Sequence, residues 1–145
     1  MTADPVLTDD TLASAAALLS GKDYGLRALL DALEAATYVT DSDGLVIYAN
    51  AACATFAGRE PEPGVDRWCV TWKLYSRSGE FLPHEECPMA MAIKLKRPVR
   101  GVSALAERPD GTRVGFTPLP TPIFGRDREL IGAVNMLVPI EAEAA

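Results

Sequence analysis

The last third of the chain admits one kind of strand pairing. Three strand-like runs, 99–107, 112–119 and 130–138, follow one another with little chain between them. Pro109-Asp110-Gly111 is a tight turn between the first two, and Arg126-Asp127-Arg128 is a polar turn before the third. Parallel neighbours need a crossover of a dozen or more residues, usually a helix, and there is no room for one here. The runs therefore read as antiparallel strands. Pro118, Pro120 and Pro122 add a second constraint. Residues two apart in a strand aim their N–H groups at the same edge, so three prolines at this spacing strip three donors from one side. Pairing on that side is expected to stop near Pro118. The stretch 120–124 then reads as an extended excursion outside the central sheet.

The first half repeats the antiparallel theme. Residues 36–40 form a β-prone run that ends at Asp41-Ser42-Asp43-Gly44, and 45–49 form another. Asp-Gly after a β-branched run signals a turn, so the pair reads as a hairpin. The same four residues could suggest calcium, but the downstream acidic ligands of a calcium loop are missing. Asn50 follows at once as a helix N-cap, then 51–57, with Gly58 as the stop.

Two helical patterns open the chain. Leu12, Ala15, Ala16 and Leu19 recur at helical spacing before Gly21. Leu26, Leu29, Leu30 and Leu33 repeat it, with Asp23 as a cap. A fourth helix spans 87–96, with Pro88 at its first position, Glu85 and Glu86 ahead of it, Lys94, Lys96 and Arg97 at its end, and Pro98 as the stop. Between 59 and 86 the chain is irregular and carries Trp68 and Trp72. The order is α-α-β-β-α-(irregular)-α-β-β-β. It predicts an α+β domain with a five-stranded antiparallel sheet, short helices on one face and an N-terminal helical extension. The divisions are 1–22 for the extension, 23–140 for the domain and 141–145 for a tail.

Composition narrows the function classes. At 145 residues the chain is one domain's worth, and 48% hydrophobic residues supply a core. Twenty acidic against 14 basic residues leave a net charge of −6, a poor basis for neutralising nucleic-acid phosphates. No apolar run approaches the ~20 residues that span a bilayer. The N-terminus lacks the basic region of a secretory signal, so Cys53, Cys69 and Cys87 read as reduced thiols in a cytoplasm.

Several segments, taken together and in order, resemble the PAS domain. The first runs Tyr38-Val39-Thr40-Asp41-Ser42-Asp43-Gly44-Leu45-Val46-Ile47-Tyr48-Ala49-Asn50 and continues to Gly58. The second is Arg108-Pro109-Asp110-Gly111-Thr112-Arg113, and the third Gly132-Ala133-Val134-Asn135-Met136-Leu137-Val138. Leu82-Pro83-His84-Glu85-Glu86-Cys87-Pro88-Met89-Ala90 is similar to the PAS modules upstream of bacterial sensor histidine kinases. The resemblance covers roughly 27–139. It implies a sensory or signalling domain that binds a small molecule, a partner protein or both. In multidomain relatives the last strand continues into Asp-Ile-Thr and a signalling helix. Here Pro139-Ile140 follows instead, so the chain reads either as a standalone module or as a piece cut at a domain edge; its start at Met1 favours the standalone reading, with a partner acting in trans.

Fold does not supply the site, so the residues were weighed singly. Phe56, Trp68, Trp72, Met89, Ile93 and Phe116 could line an apolar pocket or fill a core, and for any one of them the core is the favoured reading. Asn135 interrupts an apolar run and needs partners wherever it is buried. Leu12, Leu19, Leu26 and Leu30 are the candidate homodimer interface, because two amphipathic helices exceed what one sheet face needs. A ligand-free dimerisation module is the alternative function. No cofactor is the expected state. Haem has only Cys87-Pro88 and a His84 outside the long helix, and flavin photochemistry lacks its Asn-Cys-Arg-Phe-Leu-Gln motif around Cys53. No Ser/His/Asp set, carboxylate pair, phosphate loop or metal spacing supports catalysis.

Overall fold

The computed structural model describes residues 7–21 and 26–140. The expected cap Asp23 and the tail 141–145 lie outside them. Helix α1 (Asp9–Leu19) starts at Thr8, whose hydroxyl oxygen accepts from the Thr11 amide at 3.2 Å. Helix α2 (Leu26–Asp31) is a short second piece. The hairpin β1 (Ala36–Asp41) and β2 (Val46–Ala49) runs directly into α3 (Ala51–Ala57). Gly58 ends α3 in the left-handed conformation that glycine adopts without strain.

The stretch that reads as irregular holds two strands, β3 (Lys73–Ser76) and β4 (Phe81–Leu82), then a 3₁₀ turn at His84–Glu86. Helix α4 (Pro88–Leu95) follows, one residue shorter at each end than expected because Cys87 and Lys96 are its caps. Strands β5 (Ala104–Glu107), β6 (Arg113–Pro118), β7 (Thr121–Phe124) and β8 (Leu130–Pro139) complete the sheet. Its order is β2-β1-β8-β6-β5-β3-β4, with β7 also on β8, and every one of these pairings is antiparallel.

Two expectations change. Among the described residues the sheet has eight short strands rather than five, and 121–124 is one of them. The prolines explain how. The Leu119 amide donates to the Met136 carbonyl at 2.9 Å, so this alternate set of amides faces β8 while the proline nitrogens face the other edge. Pairing with β5 ends at Phe116, where the prolines begin to remove donors. Pairing with β8 resumes in β7, from Thr121 to Phe124. The Arg100 guanidinium covers the open edge, donating to the Pro120 carbonyl at 2.9 Å and to the Thr121 hydroxyl at 2.7 Å.

The helices also lie on both faces, not one. Tyr38, Ala133 and Leu137 point inward to Cys53 and Phe56 of α3 and to Met89 and Ile93 of α4. Val39 and Val134 point outward to Ala15 of α1 and Leu30 of α2. A bulge at Ile47 puts one extra residue in β2, so Thr40 pairs with Val46 while Val39 pairs with Tyr48. Val46 therefore joins the inner cluster and Tyr48 the outer one.

This layering corrects the basis of the dimer argument. A sheet has two faces, and the N-terminal helices cover the second. Leu30 is buried there, and Leu12 and Leu19 are half-buried against the chain's own strands. The Leu26 side chain lies outside the described residues.

Candidate functional site

The inner face carries a buried polar line. Asn135, near the middle of β8, accepts from the Leu119 amide through Oδ1 at 3.0 Å. Its Nδ2 donates to the Tyr38 hydroxyl at 3.1 Å. Tyr38 in turn donates to the Trp68 carbonyl at 2.8 Å. The amide that interrupts an apolar run is thus fully partnered, as a buried polar group must be. It also bridges the break between β6 and β7. Burial holds the Tyr38 phenol well above its ordinary pKa, so it stays a neutral donor.

Beside this line sit the thiols. Cys87 caps α4, its Sγ accepting from the Ala90 amide at 3.5 Å, and burial pushes its pKa up to about 12. Burial raises Cys53 to about 12 as well, with its Sγ donating to the Thr37 carbonyl at 3.4 Å. Thiols this far from ionising are poor nucleophiles and poor metal ligands. The Thr71 hydroxyl lies 3.2 Å from Cys69 Sγ and 3.2 Å from His84 Nε2. A hydroxyl has one proton, so when Thr71 donates to the sulfur, His84 must donate from Nε2. Burial lowers the His84 pKa, which favours the neutral ring.

The seven candidate pocket residues separate into four places. Phe56, Met89, Ile93 and Phe116 are buried together, with Phe56 and Phe116 edge to face at 5.2 Å. Asn135 is the polar node described above. Trp68 stands at the rim with positive φ, its ring against Gly44, where a Cβ would lie 2.2 Å from the indole. The cations of Arg67 and Lys94 flank that ring at 4.6 and 5.3 Å. Trp72 is 40% exposed and lies apart from the core.

Trp72 instead borders a groove of about 200 Å³ with Arg59, Asp66, Arg67, Cys69, Thr71 and His84. Sequence reading overlooked Arg59 and Asp66, which form a two-pronged ion pair at 3.0 and 3.1 Å, and Tyr38 and Thr71, which complete the polar contacts. No spacing rule links residues 38, 71 and 135. The one available signal was that Asn135 required a buried partner.

The side chains weighed for haem ligation and flavin adduct formation are engaged elsewhere. A haem iron needs an axial ligand free to bind, yet His84 Nε2 is engaged by Thr71 and the Cys87 thiol is committed to capping α4. The Cys53 thiol faces a strand carbonyl rather than an open cavity, so flavin adduct chemistry lacks its donor. Among the described residues no group of three or more His, Cys, Asp or Glu side chains could hold a metal ion.

The comparisons agree with this architecture. No curated protein matches the chain. Among solved structures, the PAS domain of the fruit-fly ELK potassium channel aligns with a TM-score of 0.60 at 9% identity, over 80% of this chain and 94% of that one. A PAS domain from Colwellia psychrerythraea aligns at 0.53 and 18%, over 80% and 94%. The LOV domain of a blue-light activated histidine kinase from Erythrobacter litoralis aligns at 0.56 and 22%, over 74% and 97%. Identities this low establish the fold alone. A family match described as PAS fold covers residues 30–145, most of the chain. With the inner helices, the antiparallel sheet and the polar node on its central strands, that match makes this chain a member of the PAS family, a sensory domain.

Proposed function

We propose that this domain receives a small molecule or a partner on the side covered by α3 and α4, and passes the change through the sheet to α1 and α2. A partner protein in trans reads it there, in a cytoplasm and without catalysis by this chain. Asn50 carries the reading. It is buried where α3 begins, but its side chain does not cap that helix. Its Oδ1 accepts from the Thr37 amide of β1 at 3.0 Å, and its Nδ2 donates to the carbonyls of Leu30 at 3.1 Å and Ala35 at 3.0 Å. One amide therefore ties an inner helix, a central strand and an outer helix. Tyr48 supports the same joint, its hydroxyl donating to the Asp31 carboxylate and lying 3.2 Å from the Arg27 carbonyl.

Hydrogen exchange tests the coupling. Asn50→Ala removes three hydrogen bonds and is expected to speed exchange in α2 and α1 while α4 stays protected. Unchanged exchange in α1 and α2 would remove the coupling. Native mass spectrometry of the purified protein reads the input: an added small-molecule mass supports sensing, and a two-copy mass supports the homodimer. A bare single chain would count against both.

The tight Phe56–Phe116 contact favours a second reading, a ligand-free interaction module with a filled inner core. It differs in predicting a two-copy or partner-bound mass with no small molecule.

A further inference from the structure

We propose that the groove beside Trp72 binds a small planar anion, an aromatic carboxylate, with Arg67 holding the carboxylate and Trp72 stacking on the ring. The role as sensory input rests on the proposed function; the binding itself does not.

The groove's charge selects the ligand class. Arg59 is consumed: Nη1 and Nη2 meet the two Asp66 oxygens, and Nη1 also donates to the Val70 carbonyl at 2.8 Å. Asp66 is consumed too, because its Oδ2 also accepts from the Glu62 amide at 2.8 Å. The pair is neutral as a unit. Arg67 is different. Its Nε donates to the Asp43 carbonyl at 2.8 Å and its guanidinium stacks on Trp68, which fixes the plane of the fork. Its two terminal nitrogens make no hydrogen bond among the described residues. A pre-oriented fork with both prongs free matches a carboxylate. Lys73 Nζ lies 4.3 Å from the Trp72 ring centre and adds a second cation.

Size and shape select a single ring system. About 200 Å³ is below the ~300–1,000 Å³ of sites for drug-sized ligands. Trp72 is a large aromatic left 40% exposed at the groove, where a flat ring can cover it. The inner end is wired to the core. Thr71 bridges His84 and Cys69, and the residue before Cys69 supplies the carbonyl that Tyr38 donates to. A ligand touching Thr71 or His84 is therefore next to the line that ends at Asn135.

The test is an NMR titration of the full chain with indole-3-carboxylate, and with indole-3-carboxamide as its neutral twin. Concentrations to about 10 mM saturate a site with a Kd of ~1 mM. The expected result is a saturable shift of the Trp72 indole N–H, at least tenfold weaker binding of the carboxamide, and at least tenfold weaker carboxylate binding in Arg67→Gln. Arg67→Lys keeps the charge without the fork and is expected to fall between. The absence of a saturable shift, or equal affinity for carboxylate and carboxamide, overturns the proposal. So does unchanged affinity in Arg67→Gln. Hydrogen exchange on the same samples separates the two ideas. Binding that leaves α1 and α2 unchanged keeps the site and removes its role as an input. Failure to bind leaves the Asn50 coupling standing.

Discussion

The two faces of the sheet are built differently. Among the described residues, the inner face packs seventeen buried apolar residues around aromatic rings and one satisfied polar line. Among the same residues, the outer face has six buried apolar residues and a fringe of half-buried leucines and an alanine from α1, with Leu29 of α2 left 60% exposed. Close packing and satisfied polar groups make the inner layer a unit that resists change. The outer layer has fewer buried contacts, and Asn50 and Tyr48 hold α2 to it at identifiable polar points. The proposed function requires this layer to loosen while the rest of the domain stays folded.

The largest expected effect tests that contrast directly. Phe116→Ala removes an inner ring and is expected to cost about 3–5 kcal/mol in denaturant unfolding. Leu12→Ala, half-buried in the outer layer, is expected to cost about 1–2 kcal/mol, roughly half the range for a fully buried leucine. Equal costs would show that the layers are packed alike, and the contrast would fail.

Gly132 sharpens the comparison at the seam. A Cβ there would lie 2.2 Å from the Thr40 carbonyl and 2.7 Å from both methyls of Leu19. The leucine can swing aside, but the strand carbonyl cannot. Gly132→Ala is therefore expected to cost about 1–3 kcal/mol and to loosen α1 selectively. Faster exchange in α1 with α4 unchanged would support a separable outer layer. Uniform loosening would contradict it.

The smallest effect is the pH response of the inner layer. Burial lowers the folded-state pKa of His84 below its ordinary value of about 6.5. The unfolded chain then takes up a proton more readily than the folded one. Its contribution is fully present above pH ~6.5 and is lost as pH falls from there through the folded value. Denaturant midpoints measured across this window are expected to decline toward acid, less steeply in His84→Gln. The same slope in that variant would place the titration elsewhere.

Local chemistry was legible where it acts over a few residues. The Asp-x-Asp-Gly turn forms as read, with the Asp41 carboxylate accepting from the Asp43 and Leu45 amides at 2.9 and 3.0 Å. Asn50 starts α3 and Gly58 ends it, but the Asn50 side chain does not cap the helix. That side chain finds partners 13 to 20 residues away, which helix-capping rules cannot foresee. Trp68 and Trp72 looked alike as candidates, yet one covers the Gly44 turn and the other borders a groove just before β3.

Short connections, periodicity and turn residues act locally, so the antiparallel class, the positions of the main helices and turns and the PAS resemblance were legible in the chain. Three further features depended on how the chain packs. Prolines closed one edge of the 118–122 stretch while leaving the other free to pair, which depends on which neighbour lies on which side. The amphipathic N-terminal helices covered the second face of their own sheet, because an apolar stripe specifies burial but not the surface that provides it. Tyr38 met Asn135, and Thr71 met His84, because two strands, the loop before β3 and a 3₁₀ turn converge, and long-range contacts of that kind leave no periodic trace in the chain.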